Sequence, residues 1–251
     1  MSADMNALFT AMDLNGDGFV TPEEITECLT MLGAPEDLVK SEVDKLMTRD
    51  LDKDTKLNKK EFTSADYSVA GKNAQWLVSA ITARRKAAEK KKKFMAKLGD
   101  LKGVEKFEFL LGPKLLGAEG KEVETKSVID GKEYVAVYMS AHWCPPCRRF
   151  TPLFAEAYKK IAAADSKKLA TIFVSADRDA DQFKEYFGTM PWNAVPFEKN
   201  SEYLGFESRA GQYLDCQGIP KLGIFDKDGN LVSGNGVQKV YEGKDKFLSS
   251  L

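Results

Sequence analysis

Hydrophobic residues follow different periods in the two halves of the chain. In residues 5–12 and 38–47 they recur every three or four positions, which places them on one face of a helix. Residues 134–141 and 169–177 are continuous apolar runs with the length and β-branched content of strands buried on both faces. The pattern therefore predicts a helical head and an α/β body.

The body contains the elements of a parallel sheet. A helix is predicted between the two apolar runs, from about Pro146 to Ala163, and a second over residues 180–187. This β-α-β order implies a parallel strand pair with a right-handed crossover. Two later short strands flank Asp228-Gly229, a hairpin signal. Together these elements resemble the thioredoxin core, a central mixed sheet flanked by helices, and any C-terminal helix is expected to be short or missing.

Residues 71–103 contain no proline and are rich in Ala, Lys and Leu, which predicts one long helix from about Asn73 to Leu98. We therefore expect a multidomain chain in which this helix joins an all-α head, residues 1–70, to the α/β domain, residues 104–251. The chain has 251 residues and a net charge of −1, but the head is strongly acidic and the connecting segment strongly basic. Such asymmetry indicates separate functional units.

The connecting helix carries an apolar stripe followed by a basic run. Trp76, Leu77 and Ile81 would be its anchors, and residues 84–93 hold most of its cations. This pattern is typical of a calmodulin target or a membrane-surface helix. Three alternatives stay open: a solvated spacer with Trp76 packed on a neighbouring domain, docking on the acidic head of the same chain, or binding to an anionic surface. Nucleic acid is not expected, because the basic run is short and lacks an aromatic platform.

The composition also indicates the cellular compartment in which the protein is expected. No run of 18 apolar residues is present, so no membrane span is expected, and the first residues lack the pattern of a secretory signal. Four cysteines do not make a disulfide scaffold, which favours a reducing compartment and a cytoplasmic location. In that setting two cysteines separated by two residues indicate catalysis or metal binding.

The head contains an acidic loop, "DLNGDGFVTPEE", whose oxygen-bearing residues stand at the spacing that Ca²⁺ requires. Gly18 permits the sharp turn, Thr21 stands at the position that often binds through water, and Val20 is expected to pair with a partner loop. The expected ligands are the side chains or carbonyl groups of Asp13, Asn15, Asp17, Phe19 and Glu24.

A second loop repeats the pattern 37 positions later. It places Leu57 where the first loop has Val20, but Thr55 stands where glycine belongs. A β-branched residue at positive φ is strained by about 1–3 kcal/mol, so the second site is expected to be weaker or differently shaped. The alternative is a solvated acidic turn. The expected ligands are Asp50, Asp52, Asp54, Lys56 through its carbonyl, Asn58 and Glu61.

Two such loops in tandem make residues 3–70 similar to the EF-hand family, specifically a two-hand lobe of the calmodulin type. The resemblance implies two bound Ca²⁺ ions.

The body contains a dithiol in "SAHWCPPCRRFTP". Cys144 lies where a strand ends and a helix begins, so free N–H groups and the helix dipole favour its thiolate. Cys147 is one helical turn away, close enough for a disulfide. Between them Pro145 and Pro146 stiffen the turn and remove N–H donors. Trp143 shields one side, and Ile219-Pro220 precedes a strand, where a cis-proline would face the dithiol.

Other readings of these side chains remain. A zinc site would draw on His142, Cys144, Cys147 and Cys216, and a purely structural disulfide is a further alternative. His142 is expected at the surface, with a minor role in tuning the thiolate. Cys216 is either a third redox thiol or a packing residue. We expect Cys28 in the core of the head, and Trp192 to pack beside the dithiol face or to contact substrate.

Three blocks, "WCPPCRRFTP", "VSADRDADQFKEYF" and "MPWNAVPF", resemble those of the tryparedoxins and nucleoredoxins over residues 110–240. The resemblance implies that Cys144 attacks, that Cys147 resolves and that Pro220 is the cis-proline. Tyr138 fits the tryparedoxin pattern, since thioredoxins proper carry a buried aspartate there. Lys221 departs from the threonine that the family often has, which leaves partner choice open.

The sequence thus predicts an enzyme, a protein-disulfide reductase that responds to Ca²⁺. The resemblance implies disulfide proteins such as peroxiredoxin-type acceptors as substrates, and a dithiol or a reductase as electron donor. Two alternatives stay open: a calcium sensor or adaptor whose thioredoxin-like domain mainly binds partners, and a calcium-independent reductase with a passenger EF-hand head.

Overall fold

The computed structural model describes residues 3–117, 119–198, 201–243 and 247–248. The chain forms two compact units, residues 1–93 and 94–251. The elements of the first unit are α1 (Ala3–Met12), β1 (Phe19–Val20), α2 (Pro22–Met31), α3 (Glu36–Met47), β2 (Leu57–Asn58), α4 (Lys59–Phe62), β3 (Ser68–Val69) and β4 (Lys72–Asn73). A long helix, α5 (Ala74–Asp100), starts in this unit and ends in the second.

Each acidic loop leads into a helix with a capping box. Thr21 accepts from the backbone N–H of Glu24, whose carboxylate accepts from the N–H of Thr21 in return. Asn58 and Glu61 repeat this arrangement at the start of α4. These reciprocal bonds satisfy N–H groups that have no partner within the helix. Strands β1 and β2 pair antiparallel between the loops, with Val20 opposite Leu57 as predicted.

The core of the first unit includes the beginning of α5. Leu77 and Ile81 are buried among apolar residues of α1, α2, α3 and α4. Trp76 is not the anchor that the sequence predicts, because it is 45% exposed, and the Lys72 Nζ lies 5.1 Å from its ring centroid. The helical period explains the difference: Leu77 and Ile81 are four residues apart on one face, and Trp76 lies about 100° to the side.

The second unit is built on a seven-stranded mixed sheet with the order β11-β10-β7-β8-β9-β5-β6. The parallel pair of β7 and β8 is confirmed, and so is the antiparallel hairpin of β10 and β11. The elements are α6 (Gly103–Leu111), β5 (Lys114–Leu116), β6 (Glu122–Glu124), α7 (Thr125–Ile129), β7 (Tyr134–Ser140), α8 (Pro145–Ala164), β8 (Leu169–Ser175), α9 (Ala180–Phe187), β9 (Asn193–Ala194), α10 (Arg209–Tyr213), β10 (Lys221–Asp226), β11 (Leu231–Ser233) and α11 (Gly236–Gly243).

Two apolar layers cover this sheet. Along β7 the side chains alternate, so that Tyr138 joins one layer and Val137 the other. The first layer holds Phe150, Phe154, Trp192 and the dithiol, and the second holds the apolar side of α6 and the end of α5. The eight-residue α11 agrees with the short C-terminal helix expected from the sequence. Among the described residues, no helix is both long and apolar enough to cross a membrane.

Candidate functional site

The dithiol lies at the junction of β7 and α8. Cys144 is the N-cap residue of α8, and its sulfur accepts the backbone N–H of Cys147 at 3.3 Å. The two cysteines form a disulfide, and both are buried, with Cys144 4% and Cys147 0% exposed. When the bond is reduced, the same N–H and the helix dipole favour a thiolate at Cys144.

A second loop closes over Cys144 from the start of β10. The Ile219-Pro220 peptide bond is cis, and the carbonyl oxygen of Ile219 lies 3.7 Å from Cys144 Sγ. On another side Trp143 is 38% exposed, and its indole N–H donates to the carbonyl oxygen of Ala176 at 2.9 Å. A backbone carbonyl and a fixed indole therefore lie beside the Cys144 sulfur.

The space behind the dithiol is filled by hydroxyl groups. The Tyr138 hydroxyl lies 2.8 Å from Thr151 Oγ1, which also contacts the Tyr186 hydroxyl and donates to the carbonyl oxygen of Cys147. The Tyr186 hydroxyl continues the chain to Ser140 Oγ at 2.9 Å. Burial raises the pKa of Tyr138, so this phenol stays neutral at physiological pH. These hydroxyl groups orient α8 under the dithiol without adding charge.

Asp177 is a site residue that the sequence analysis missed. Its carboxylate accepts the backbone N–H of His142 at 2.6 Å and the hydroxyl of Ser175 at 2.7 Å. Burial raises its pKa, and these hydrogen bonds oppose that effect. A signal was available: Ala176 and Asp177 directly follow β8, and the carboxyl ends of neighbouring parallel strands meet at one sheet edge. Asp177 therefore ties the loop after β8 to the loop that carries Trp143 and Cys144.

The remaining cysteines lie away from this chemistry. Cys216 packs in the opposite apolar layer from the dithiol, and burial raises its pKa. Cys28 is in the core of the first unit, where burial raises its pKa to about 12. Neither thiol has the electropositive, accessible surroundings of a reactive cysteine.

The zinc alternative finds no support in the geometry. Within the described ranges, the group of His, Cys, Asp and Glu side chains close enough to hold a metal is Asp50, Asp52 and Asp54, not the set around Cys144. His142 is 28% exposed and its Nε2 lies 3.8 Å from a Glu185 oxygen. Trp192 is 1% exposed and packs on Tyr138, Phe154 and Tyr158, as a packing residue should.

The first acidic loop is folded around its own side chains. Asp13 accepts backbone N–H groups of Gly16, Asp17 and Gly18, and Glu24 accepts those of Leu14 and Asn15. These bonds turn oxygen atoms from both ends of the loop toward its centre. Gly16 and Gly18 have φ of 77° and 86°, which glycine adopts without strain.

The second loop keeps the same backbone with other residues. Lys53 and Thr55, at the positions of those two glycines, have φ of 62° and 67°. Side-chain oxygens of Asp50, Asp52 and Asp54 lie within 4.8 Å of one another. The Thr55 backbone thus adopts the left-handed conformation that the sequence analysis expected to be strained.

The donor set of both loops fits Ca²⁺. It consists of carboxylate, amide and carbonyl oxygens, the hard ligands that this cation prefers. In the second loop three carboxylates converge, and their like charges repel one another. The residues that would hold the ion are those predicted from the sequence, and bound Ca²⁺ would neutralise the converging carboxylates.

Comparison with known proteins finds a family for each of the two regions. A family model described as an EF-hand domain pair matches residues 2–65, and one described as thioredoxin-like matches residues 131–231. Tryparedoxin of Trypanosoma brucei brucei is 36% identical over 126 residues, which cover 50% of this chain and 82% of that protein. The chain belongs to the thioredoxin-like family of the tryparedoxins and nucleoredoxins. The predicted resemblances to this family and to the EF-hand pair are confirmed.

Nucleoredoxin of Bos taurus is 42% identical over 138 residues, 55% of this chain. The match covers only 30% of that nucleoredoxin's length. Among solved structures, native tryparedoxin I from Crithidia fasciculata aligns with 55% of this chain and 92% of its own, at 36% identity and a TM-score of 0.46. The thioredoxin-like family region includes the dithiol and Asp177, and the EF-hand region includes both acidic loops.

Proposed function

We propose that this protein is a calcium-responsive thiol–disulfide oxidoreductase that uses Cys144 and Cys147 to reduce disulfides of partner proteins. One observation carries the proposal: a redox-capable cysteine pair at the start of α8, with the sulfur of Cys144 against the Ile219 carbonyl and beside the exposed Trp143. The match to the thioredoxin-like family supports the same chemistry.

The reduction runs in two exchanges. The Cys144 thiolate attacks one sulfur of the substrate disulfide, which forms a mixed disulfide and releases the other substrate sulfur as a thiol after protonation. Cys147 loses its proton and attacks Cys144 Sγ, which releases the second substrate thiol and leaves the Cys144–Cys147 disulfide. A dithiol donor or a reductase then supplies two electrons and two protons. Substrates of the peroxiredoxin class fit this cycle.

The substrate segment is proposed to lie along the loop that ends in Pro220. The carbonyl oxygen of Ile219 would accept a backbone N–H of that segment, and Trp143 would pack against its side chains. Pro145 and Pro146 fill the first helical positions, where a proline loses no helical hydrogen bond. They leave the N–H of Cys147 as the donor that faces the sulfur. Two buried thiols outside the site fit a reducing compartment, and we propose a cytoplasmic location.

Trapping experiments test the roles of the two cysteines. Cys147→Ser is expected to accumulate mixed disulfides through Cys144 with a disulfide substrate, and Cys144→Ser is not. Each variant is reduced and the reductant removed before the substrate disulfide is added, and the readout is non-reducing gel electrophoresis and mass spectrometry after thiol blocking. Undiminished turnover by Cys144→Ser would show that Cys144 is not the attacking thiol.

The calcium response is proposed to act through α5. Arg85 on this helix donates to the carbonyl oxygens of Ala11 and Leu14, at 3.3 and 3.4 Å. Leu14 belongs to the first acidic loop, so a change of that loop on Ca²⁺ binding acts directly on α5. Sensor-type EF-hand pairs open their apolar groove when Ca²⁺ binds, and Leu77 and Ile81 occupy the apolar interior of this unit.

The free energies are of the right size for a switch. Burying one such aliphatic side chain stabilises by about 1.5–3 kcal/mol. A 100-fold change in a two-state balance corresponds to about 2.7 kcal/mol. A difference of one or two buried side chains between the calcium-free and calcium-loaded forms would therefore be enough.

Turnover of a model disulfide with Ca²⁺ or with a chelator separates the alternatives. Catalytic turnover that changes with Ca²⁺ supports the proposal. Turnover that stays constant while calorimetry shows both sites filled would mean a reductase with a passenger head. Binding of partner proteins without turnover would mean a sensor or adaptor.

A further inference from the structure

A guanidinium group lies on the exposed indole beside the attacking cysteine. The Arg178 Cζ is 5.4 Å from the ring centroid of Trp143, the residue before Cys144. Arg178 is exposed and comes three residues after the end of β8. A guanidinium stacked on an aromatic face keeps its N–H donors directed outward, where they can bind a carboxylate with two hydrogen bonds.

The loop that carries this guanidinium is held against the loop of Cys144. The carbonyl oxygen of Ala176 holds the Trp143 indole N–H, and the Asp177 carboxylate holds the His142 N–H. These two bonds join the loop of Arg178 to the loop of Cys144 next to the contact between Arg178 and Trp143. The backbone that carries Arg178 is therefore held beside Trp143 before a substrate arrives, which lowers the entropy cost of ordering this loop on binding.

Both carboxylates next to Arg178 in the chain are engaged elsewhere. Asp177 accepts from His142 and Ser175, while Asp179 accepts the backbone and side-chain N–H groups of Gln182 at 2.9 and 2.7 Å. Within the part of the chain that the structure describes, the ion pairs include none with Arg178. The guanidinium thus keeps its hydrogen-bonding capacity for a group outside this chain.

Further cations belong to the elements that meet at Cys144. Arg148, on the first turn of α8, donates to the carbonyl oxygen of His142 at 2.8 Å, and Lys221 follows the cis-proline directly. Carboxylates also lie on this side: Glu185 is 3.8 Å from His142 Nε2, and Asp177 accepts the His142 backbone N–H. Of these cations, Arg178 is the one in contact with Trp143, so the inference rests on it.

We propose that Arg178 is a substrate-recognition residue that binds a carboxylate next to the reacting cysteine, so that the preferred substrates are protein disulfides flanked by acidic residues. This inference rests on the proposed reductase function and names its substrate class. The carboxylate is bound while the Cys144 thiolate attacks, and the contact is kept in the mixed disulfide. The contribution is to productive docking, and no bond to Arg178 forms or breaks.

The test uses three disulfide-linked peptide dimers of equal length, with Glu, Ser or Lys beside each cysteine. The flanking charge also changes the pKa of the leaving thiol. For each peptide we therefore compare the kcat/KM of a variant with that of the parent, because the effect of the leaving thiol is the same for both proteins. The parent is expected to prefer the Glu peptide. Its preference for the Glu over the Ser peptide is expected to fall by about threefold to fivefold in Arg178→Gln and about tenfold in Arg178→Glu, the size of an exposed charge pair and of its reversal.

The matched control is Lys126→Glu, which changes the charge by the same amount on the exposed surface of α7. It is expected to keep the parent's preference. About 1 M salt, where the Debye length is about 3 Å, should reduce the parent's preference without abolishing turnover. Far-UV circular dichroism and thermal midpoints confirm that each variant is folded. If Arg178→Glu does not fold, the comparison of Arg178→Gln with the parent still tests the inference.

The outcomes are distinguishable. If the parent reduces the peptides and Arg178→Gln and Arg178→Glu keep its Glu-to-Ser ratio, the role of Arg178 is wrong and the reductase function stands. If the parent reduces none of the three peptides with a dithiol donor present, the reductase function fails and the inference fails with it.

Discussion

The guanidinium of Arg85 donates to the carbonyl oxygen of Leu14, 3.4 Å away. The first residue lies on the long helix α5 and the second in the first acidic loop, 71 positions apart in the chain. A second bond from Arg85, to the carbonyl oxygen of Ala11, holds the last turn of α1. Arg85 is therefore placed to transmit a change of that loop to α5.

Arg85→Ala removes both bonds. We expect a loss of about 1 kcal/mol in unfolding free energy, the net worth of hydrogen bonds at a partly buried site. We also expect turnover to change less when Ca²⁺ is added. The measurements are urea unfolding and the disulfide-reduction assay. Arg84→Ala changes the exposed neighbouring residue and is the control; an equal change of turnover with Ca²⁺ in the two variants would argue against transmission through Arg85.

Replacement of the last ligand in each loop should remove one calcium site at a time. The parent is expected to bind two Ca²⁺ ions by calorimetry, and Glu24→Gln and Glu61→Gln one each, because an amide cannot supply two anionic oxygens. Glu23→Gln, at an exposed neighbouring position, should leave both sites. A parent that binds a single ion would rule out the second loop as a site.

Thr55→Gly should strengthen the second site. The left-handed φ of 67° at Thr55 costs about 1–3 kcal/mol, and glycine relieves this at an entropy cost of about 0.5–1 kcal/mol. We expect a net gain of about 1 kcal/mol, several-fold in Ca²⁺ affinity, measured by competition with a chelating dye.

The reverse exchange in the first loop, Gly18→Thr, provides the matched control. Gly18 has φ of 86°, so threonine there should weaken the first site by a similar factor. If neither substitution changes the Ca²⁺ affinity of its loop, backbone strain is not the cause of a difference in affinity between the two loops.

Asp177 predicts a pH dependence of stability. Burial raises its pKa in the folded protein above the ordinary 3.8, so the folded state favours the protonated acid. Protonation of Asp177 stabilises the fold fully when the pH is below the pKa that this group has in the unfolded chain. This stabilisation is lost as the pH rises through the higher pKa that it has in the folded protein. Ionised Asp177 therefore weakens the fold at neutral pH.

Asp177→Asn removes this titration. Relative to the variant, the parent should gain stability as the pH falls from 7 through the raised pKa toward 3.8. Urea midpoints across this range measure it, with Asp130→Asn at an exposed position as the control. A parent-to-variant difference that does not change with pH would contradict the assigned cause.

Sequence alone identified the acidic loops and the dithiol, because each motif is local. A calcium loop places its ligands within twelve consecutive residues, and a dithiol at a helix start needs only four. The long apolar runs likewise identified β7 and β8, since strands buried on both faces require them. Short elements such as β5, β6 and β9 were missed, because two or three residues carry no readable period.

The tertiary structure decided which distant residues share the site. Asp177 and Arg178 reach the loop of Cys144 because parallel strands end at the same sheet edge, a relation between segments more than 30 residues apart. The opposite layers of Cys144 and Cys216 follow from the path of the chain around the sheet. Leu77 and Ile81 are buried while Trp76 is exposed, because only one face of α5 packs against the apolar core of the first unit. The hydrophobic pattern states that a face will be buried, and only packing selects the neighbours that bury it.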